Sequence, residues 1–327
     1  MSRRRRLVAG APEGGLVVDK PPGVTSHDVV AVARRAFGQP RIGHTGTLDP
    51  MATGVLVLLL GRATRLAQYL AASTKTYLAQ VRFGFATDTY DADGTPTVGR
   101  LPPAHEAEAN RPILGHGDRP RDTQIDSRAL ERALDAFRGR YLQTPPPVSA
   151  KRVGGRRAYD LAREDRAVPL EPVAVEVFDL RLLDVSGDTA TLTVTCSAGF
   201  YVRALAHALG EYQGTGAHLA ALRRERAGDF QLADAIPLDR LAETPASAAQ
   251  SVVPMASLLP GLAAATLTES GCLRLKHGQP VRGEDLASGG AGWPQFTDRV
   301  RLLDRDGTLL GLAVKGPAAL HPVVVLM

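Results

Sequence analysis

Cysteine is nearly absent: Cys196 and Cys272 are the only two in 327 residues. Two thiols so far apart define neither a disulfide framework nor a zinc-ligand spacing. The eight histidines form no HxH or HxxxH cluster, so no structural zinc is expected. Long apolar runs are absent too. The longest purely aliphatic stretch, Val55 to Leu60, falls far short of the roughly 20 residues that cross a bilayer. The chain has no P-loop, no G-x-G-x-x-G fingerprint and no H-E-x-x-H pair, which argues against nucleotide, dinucleotide and zinc-protease chemistry. Arg3-Arg4-Arg5-Arg6 carries the charge of a signal peptide, but Pro12 and Glu13 interrupt any apolar region behind it. A cytoplasmic protein with no membrane attachment is expected.

Lysine is scarce as well: of 39 basic residues, five are lysine and 34 arginine. The net charge of +5 and pI of about 9.4 are modest, so placement says more than total. Three basic groups stand out: Arg3 to Arg6; Lys151, Arg152, Arg156, Arg157, Arg163 and Arg166; and Arg203 with Arg223, Arg224 and Arg226. The guanidinium fork suits phosphate, and phosphate contacts supply much of nucleic-acid affinity, while each block by itself also reads as a solvated surface face.

At 327 residues and 44% hydrophobic content, two domains with a packed core are expected. Leu16-Val17-Val18 reads as a buried strand, followed by a helix capped by Thr25 and Asp28 and stopped at Gly38. Tyr77 to Phe85 alternates as a strand. Residues 96 to 125 are proline-rich without periodicity and read as an exposed insertion. Ser127, as cap, opens a helix to Phe137. Val173 to Leu183 and Ala190 to Ser197 form a hairpin about Gly187, and Val202 to Tyr212 is helical. Glu243 to about Gly261, rich in Ala, Ser and Pro, reads as a linker. Beyond it, Val300 to Leu303 and Leu309 to Val314 flank an Asp-Gly turn, and Pro322 to Leu326 adds a strand. The class is α+β.

The most informative segment is Gly43-His44-Thr45-Gly46-Thr47-Leu48-Asp49-Pro50-Met51-Ala52-Thr53-Gly54. Three glycines permit unusual backbone torsions or close approach. Pro50 stiffens the chain directly after the one carboxylate. A shaped loop that holds Asp49 at a pocket edge and runs into a buried strand is the reading.

This segment resembles the signature G-H-x-G-x-L-D-P-x-A-x-G of the TruB family, the tRNA pseudouridine(55) synthases, and matches all its fixed positions. Further matches are Lys20-Pro21-Pro22-Gly23-Val24-Thr25-Ser26 to K-P-x-G-x-T-S, Lys75-Thr76-Tyr77 to K-x-Y, Gly199 to Arg203 to G-x-Y-[IV]-R, and Asp91 to a D-A-x-G turn. The resemblance covers the chain from Gly15 onward. It implies a pseudouridine synthase fold with a central mixed β-sheet over residues 1–257. A small β-rich PUA domain over 261–327 and a thumb-like RNA-binding segment at about 147–168 are also implied.

It further implies a mechanism. Asp49 is the catalytic nucleophile. Arg203 pairs with it, Tyr77 lies against the flipped base, and Leu222 floors the pocket. His44 braces the vacated space, and Lys20, Tyr201 and Asp91 complete the substrate site. Lys151, Arg152, Arg156 and Arg157 of the thumb contact RNA. Isomerising uridine conserves atoms and electrons, so no cofactor is required, while one covalent nucleophile can hold the intermediate. The substrate implied is the T-arm of tRNA, handled by a monomer without an obligate protein partner. Two departures stand out: residues 96–125 exceed the family's usual connection, and arginines replace thumb lysines. The rival readings are a guide-RNA-dependent subunit and a tRNA folding chaperone. A glycoside hydrolase would need a second carboxylate paired with Asp49.

Overall fold

The run Thr53–Leu60, the strand β3 below, is apolar at consecutive positions because both of its faces are covered. Leu56, Leu58 and Leu60 enter one core cluster, while Val55, Val57 and Leu59 enter another on the opposite face. The computed structural model describes residues 10–97, 125–148, 152–153, 156–157, 171–289 and 298–327. The N-terminal arginine block, most of the 96–125 insertion and most of the thumb-like segment, Lys151 included, lie outside them.

The main sheet has ten strands among the described residues: β1 Gly14–Lys20, β2 Ile42–His44, β3 Thr53–Leu60, β4 Lys75–Phe83, β5 Gly139–Gln143, β6 Val173–Ser186, β7 Thr189–Cys196, β8 Ala217–Ala227, β9 Phe230–Gln231 and β10 Ile236–Pro237. Their spatial order is β10-β1-β3-β8-β4-β7-β6-β5, with β2 on β3 and β9 on β8. The sheet is mixed: β3–β8 and β1–β10 are parallel and the other pairings antiparallel. The central parallel junction sets Thr53 and Gly54 against Arg223 and Arg224. The motif loop thus ends beside β8.

Among the helices that cover one face are α1 Ser26–Ala36, α2 Ser127–Asp135 and α3 Val202–Gln213. Thr25 and Asp28 form the expected reciprocal capping box on α1. The cap of α2 differs from expectation. Asp126 accepts from the Arg128 N–H, and Ser127 is the first helical residue. An aspartate at this position also sets its charge against the positive end of the helix dipole.

The opposite face carries the C-terminal unit. Its four-stranded sheet comprises β11 Ala263–Thr266, β12 Arg299–Leu303, β13 Leu309–Lys315 and β14 Leu320–Val325. Leu309, Leu312, Val324 and Leu326 pack into the same cluster as Val55, Val57 and Leu59. Arg62 donates to the Leu326 carbonyl at 2.9 Å, and Arg299 sits over the Tyr69 ring.

The expected linker is packed against the main sheet. Gly15 and Val253 exchange backbone hydrogen bonds, residues Pro245–Ala249 are helical and Leu258 is fully buried. Its apolar residues bury against β1, which composition alone could not reveal. No described helix is long and apolar enough to cross a membrane.

Gly54 closes the motif with φ at +99°, and a Cβ there would stand 2.2 Å from the Arg224 carbonyl oxygen. Gly54→Ala should therefore destabilise the protein by about 2–4 kcal/mol, from backbone strain plus overlap at the parallel junction. Urea unfolding measures this, and an unchanged midpoint would show that the junction has slack.

Candidate active site

The segment Lys20 to Ser26 grips the motif loop on both sides of Asp49. Ser26 Oγ accepts from the Leu48 N–H at 2.8 Å and donates to the Leu48 carbonyl at 3.1 Å. Lys20 is fully buried, and its Nζ donates to the carbonyls of Pro21 at 2.9 Å and Pro50 at 3.1 Å. The Gly23 N–H donates to the same Pro50 carbonyl, and Ala52 N–H to that of Asp49. Leu48 and Pro50 are thus fixed, and Asp49 has little freedom left. Burial pulls the Lys20 ammonium down to about 8, with Asp49 opposing the shift.

Arg203, in the first turn of α3, meets Asp49 with two nitrogens. Nη2 donates to Oδ1 at 3.1 Å, and Nε lies 3.0 Å from Oδ2 as an ion pair. The guanidinium is itself held from behind. Nη1 donates to the Thr89 carbonyl at 3.0 Å and lies 3.3 Å from Asp91 Oδ2, and Nη2 also donates to the Val148 carbonyl. Arg203 and Asp91 side chains are each 7% exposed, against 32% for Asp49, so the open end of the network is the aspartate. Burial is the largest influence on Asp49 and pushes its carboxyl above the ordinary range. Arg203 and Lys20 oppose the rise, and Asp91 adds to it.

Asp49 faces a cleft lined by Thr47, Leu48, Tyr77, Phe200, Tyr201, Val202, Arg203 and Leu222. The mix of apolar walls with a few polar groups is typical of small-molecule sites. Five of the expected residues meet here: Asp49, Tyr77, Tyr201, Arg203 and Leu222. Lys20 and Asp91 stand behind the cleft as supports. His44 is half-buried on β2, opposite Leu58 of β3, and is not among the lining residues. Arg152, Val153, Arg156 and Arg157 form a two-residue antiparallel ladder.

Sequence reasoning missed the part played by Arg224. Placed above in a basic group suited to phosphate, it is instead buried, donating to the carbonyls of Val55 at 2.7 Å and Gly46 at 3.1 Å. It pins the loop from the sheet side. Its neighbour Arg223 pairs with Asp19 at 2.7 Å. Nothing in a single sequence separates a buried arginine that braces backbone from one that meets phosphate.

The profile of the TruB family pseudouridylate synthase N-terminal domain matches residues 34–202. That of the tRNA pseudouridylate synthase B C-terminal domain matches 203–260. The chain belongs to the TruB family. A relative from Solibacter usitatus, named tRNA pseudouridine synthase B, is 40% identical over 96% of this chain and 100% of its own length. Its namesake from Symbiobacterium thermophilum is 43% identical over 85% of this chain and 86% of that one. Among solved structures, a chain of a Cbf5–Nop10–Gar1 complex superposes with a TM-score of 0.67 at 22% identity, covering 100% of this chain and 92% of that one. The TruB assignment makes this chain a pseudouridine synthase, with the fold that the resemblance implied: a mixed sheet with helices and a small C-terminal β unit.

Ser26 is 2% exposed and satisfies both backbone groups of Leu48. Ser26→Ala should cost about 1–3 kcal/mol, because two buried polar groups are left without a partner. Denaturant unfolding reads this, and a wild-type midpoint would contradict the clamp.

Proposed function

We propose that this chain isomerises uridine to pseudouridine at position 55, in the T-arm loop of tRNA, with Asp49 as nucleophile. The observation that carries the reading is the two-point contact of Arg203 with a carboxylate in a cleft of mixed apolar and polar walls. The names of the relatives add the RNA: both are tRNA pseudouridine synthases.

The geometry supports the following chemistry. A base in a folded loop must leave its stack before any side chain can reach it, at a cost of a few kcal/mol. Tyr77 offers a ring against the flipped base and Leu222 an apolar floor, with Tyr201 alongside. His44, on the neighbouring strand, braces the vacated position. The Asp49 carboxylate adds covalently to the target nucleotide, the N1–C1′ bond breaks, and the base turns within the cleft. C5 then bonds to C1′, the C5 hydrogen leaves as a proton, N1 takes one up, and Asp49 is released. No electrons are gained or lost. Lys20 and Asp91 act through the loop and Arg203, not on the substrate.

Residues 1–257 serve as the catalytic domain. Lys151, Arg152, Arg156 and Arg157 of the thumb grip the RNA arm, with residues 261–327 as a PUA-like second hold. RNA recognised this way is read by backbone, shape and a splayed loop. The protein works in the cytoplasm as a monomer.

Release of tritium from tRNA labelled at uridine C5 tests the reading, because forming the new C–C bond must expel that label. Wild type should release one equivalent per tRNA. Asp49→Asn should release none while its RNA affinity stays within a few fold, because amide and acid are similar in size and phosphate contacts dominate binding. Turnover by the mutant would remove Asp49 as nucleophile. Binding without release by the wild type would favour a chaperone.

A further inference from the structure

Among the described residues, Tyr90 is the one non-glycine residue with positive φ, at 66°. For a bulky side chain this is a strained conformation that glycine or asparagine would adopt more readily. Strain of this kind points to something that holds it, and often to a functional site nearby.

Both neighbours of Tyr90 touch the same nitrogen. The Thr89 carbonyl and the Asp91 carboxylate each lie against Nη1 of Arg203. Tyr90 stands between them, and its left-handed backbone is part of the turn that presents both to this nitrogen. Its backbone is tied as well: the Tyr90 N–H donates to the Thr87 carbonyl, and its own carbonyl accepts from Leu219. Thr89 Oγ1 donates to Asp91 Oδ1 at 2.6 Å, which leaves Oδ2 for the guanidinium.

The Tyr90 ring is nearly parallel to that of His207, tilted by 5° with centroids 3.8 Å apart. His207 lies one helical turn beyond Arg203 on α3, and Glu211 one turn further, with its carboxylate 3.4 Å from His207 Nε2. The tyrosine therefore grips the same helical face that presents Arg203.

We infer that the Tyr90–His207 stack is a positioning device: it locks the strained turn to α3, so that Thr89 and Asp91 hold Arg203 in register with Asp49. The inference rests on Asp49 as the nucleophile. Tyr90 and His207 are positioning residues and touch no reacting atom.

Steady-state kinetics on C5-tritiated tRNA tests it with four single variants and one double variant of the full chain. Tyr90→Gly keeps the torsion without strain but removes the ring, so the fold is preserved while the grip is released. Tyr90→Gly and His207→Ala should each lower kcat by about tenfold or more with KM within about twofold, as expected when a reacting group is misplaced and substrate binding is intact. Tyr90→Phe and His207→Phe, which keep stacked rings, should stay within about threefold of wild type. Combining Tyr90→Gly with His207→Ala should cost no more than the worse single change, because both remove one interaction. A Tyr90→Gly enzyme with wild-type kcat, or one impaired through KM alone, would overturn the inference. Turnover by Asp49→Asn would instead sink the reading of the site, so the two failures are separable.

Discussion

The proposed mechanism depends on keeping one carboxylate charged where burial favours its neutral form. Asp49 is pushed up by desolvation and by nearby Asp91, and the Arg203 guanidinium is the main opposing charge. Arginine suits this role for a reason visible elsewhere in the molecule. The buried lysines Lys20 and Lys75 are both pulled down to about 8 by desolvation. A lysine at position 203 would face the same pressure, whereas a guanidinium does not give up its proton in a protein. Its planar fork also reaches both carboxylate oxygens, which an ammonium cannot do in one geometry.

The rest of the structure supports that pair. A two-sided buried strand, β3, gives the motif loop a rigid exit, and the parallel junction with β8 brings Arg224 beneath the loop. Lys20 and Ser26 clamp the residues flanking Asp49 from the other side. The helix α3 carries Arg203 across the sheet face, and the Thr89–Asp91 turn fixes its far end. The C-terminal unit closes the back of β3, so both halves of the chain contribute to the stiffness of one loop.

Much of this was legible in the sequence. The glycine- and proline-rich motif marked the loop and the carboxylate, and the unbroken run after it marked a buried strand. The Thr25–Asp28 cap, the Gly187 hairpin and the Asp-Gly turn near the C-terminus are local signals, and each formed where it was expected. What escaped depends on contacts between distant segments. Arg224 read as one of a basic group on a solvated face or against phosphate, yet its guanidinium lies on loop carbonyls. The Ala/Ser/Pro-rich stretch read as a linker, and composition gave no sign that Val253 in it pairs with Gly15. Tyr90 and His207 lie 117 positions apart and neither belongs to a motif, so only the fold could bring their rings together.

The most direct test of the central claim is the acid limb of the pH–rate profile, measured under single turnover for wild type and Arg203→Gln. A nucleophilic carboxylate must be ionised, so the rate falls as pH drops through its pKa. With the guanidinium gone, the neutral form gains ground, and the limb should move to higher pH by about one to three units, the range expected for a carboxylate deprived of an adjacent arginine. An acid limb that stays in place while the plateau rate falls would contradict the account. Arg203 would then be shaping the cleft and not holding the charge on Asp49.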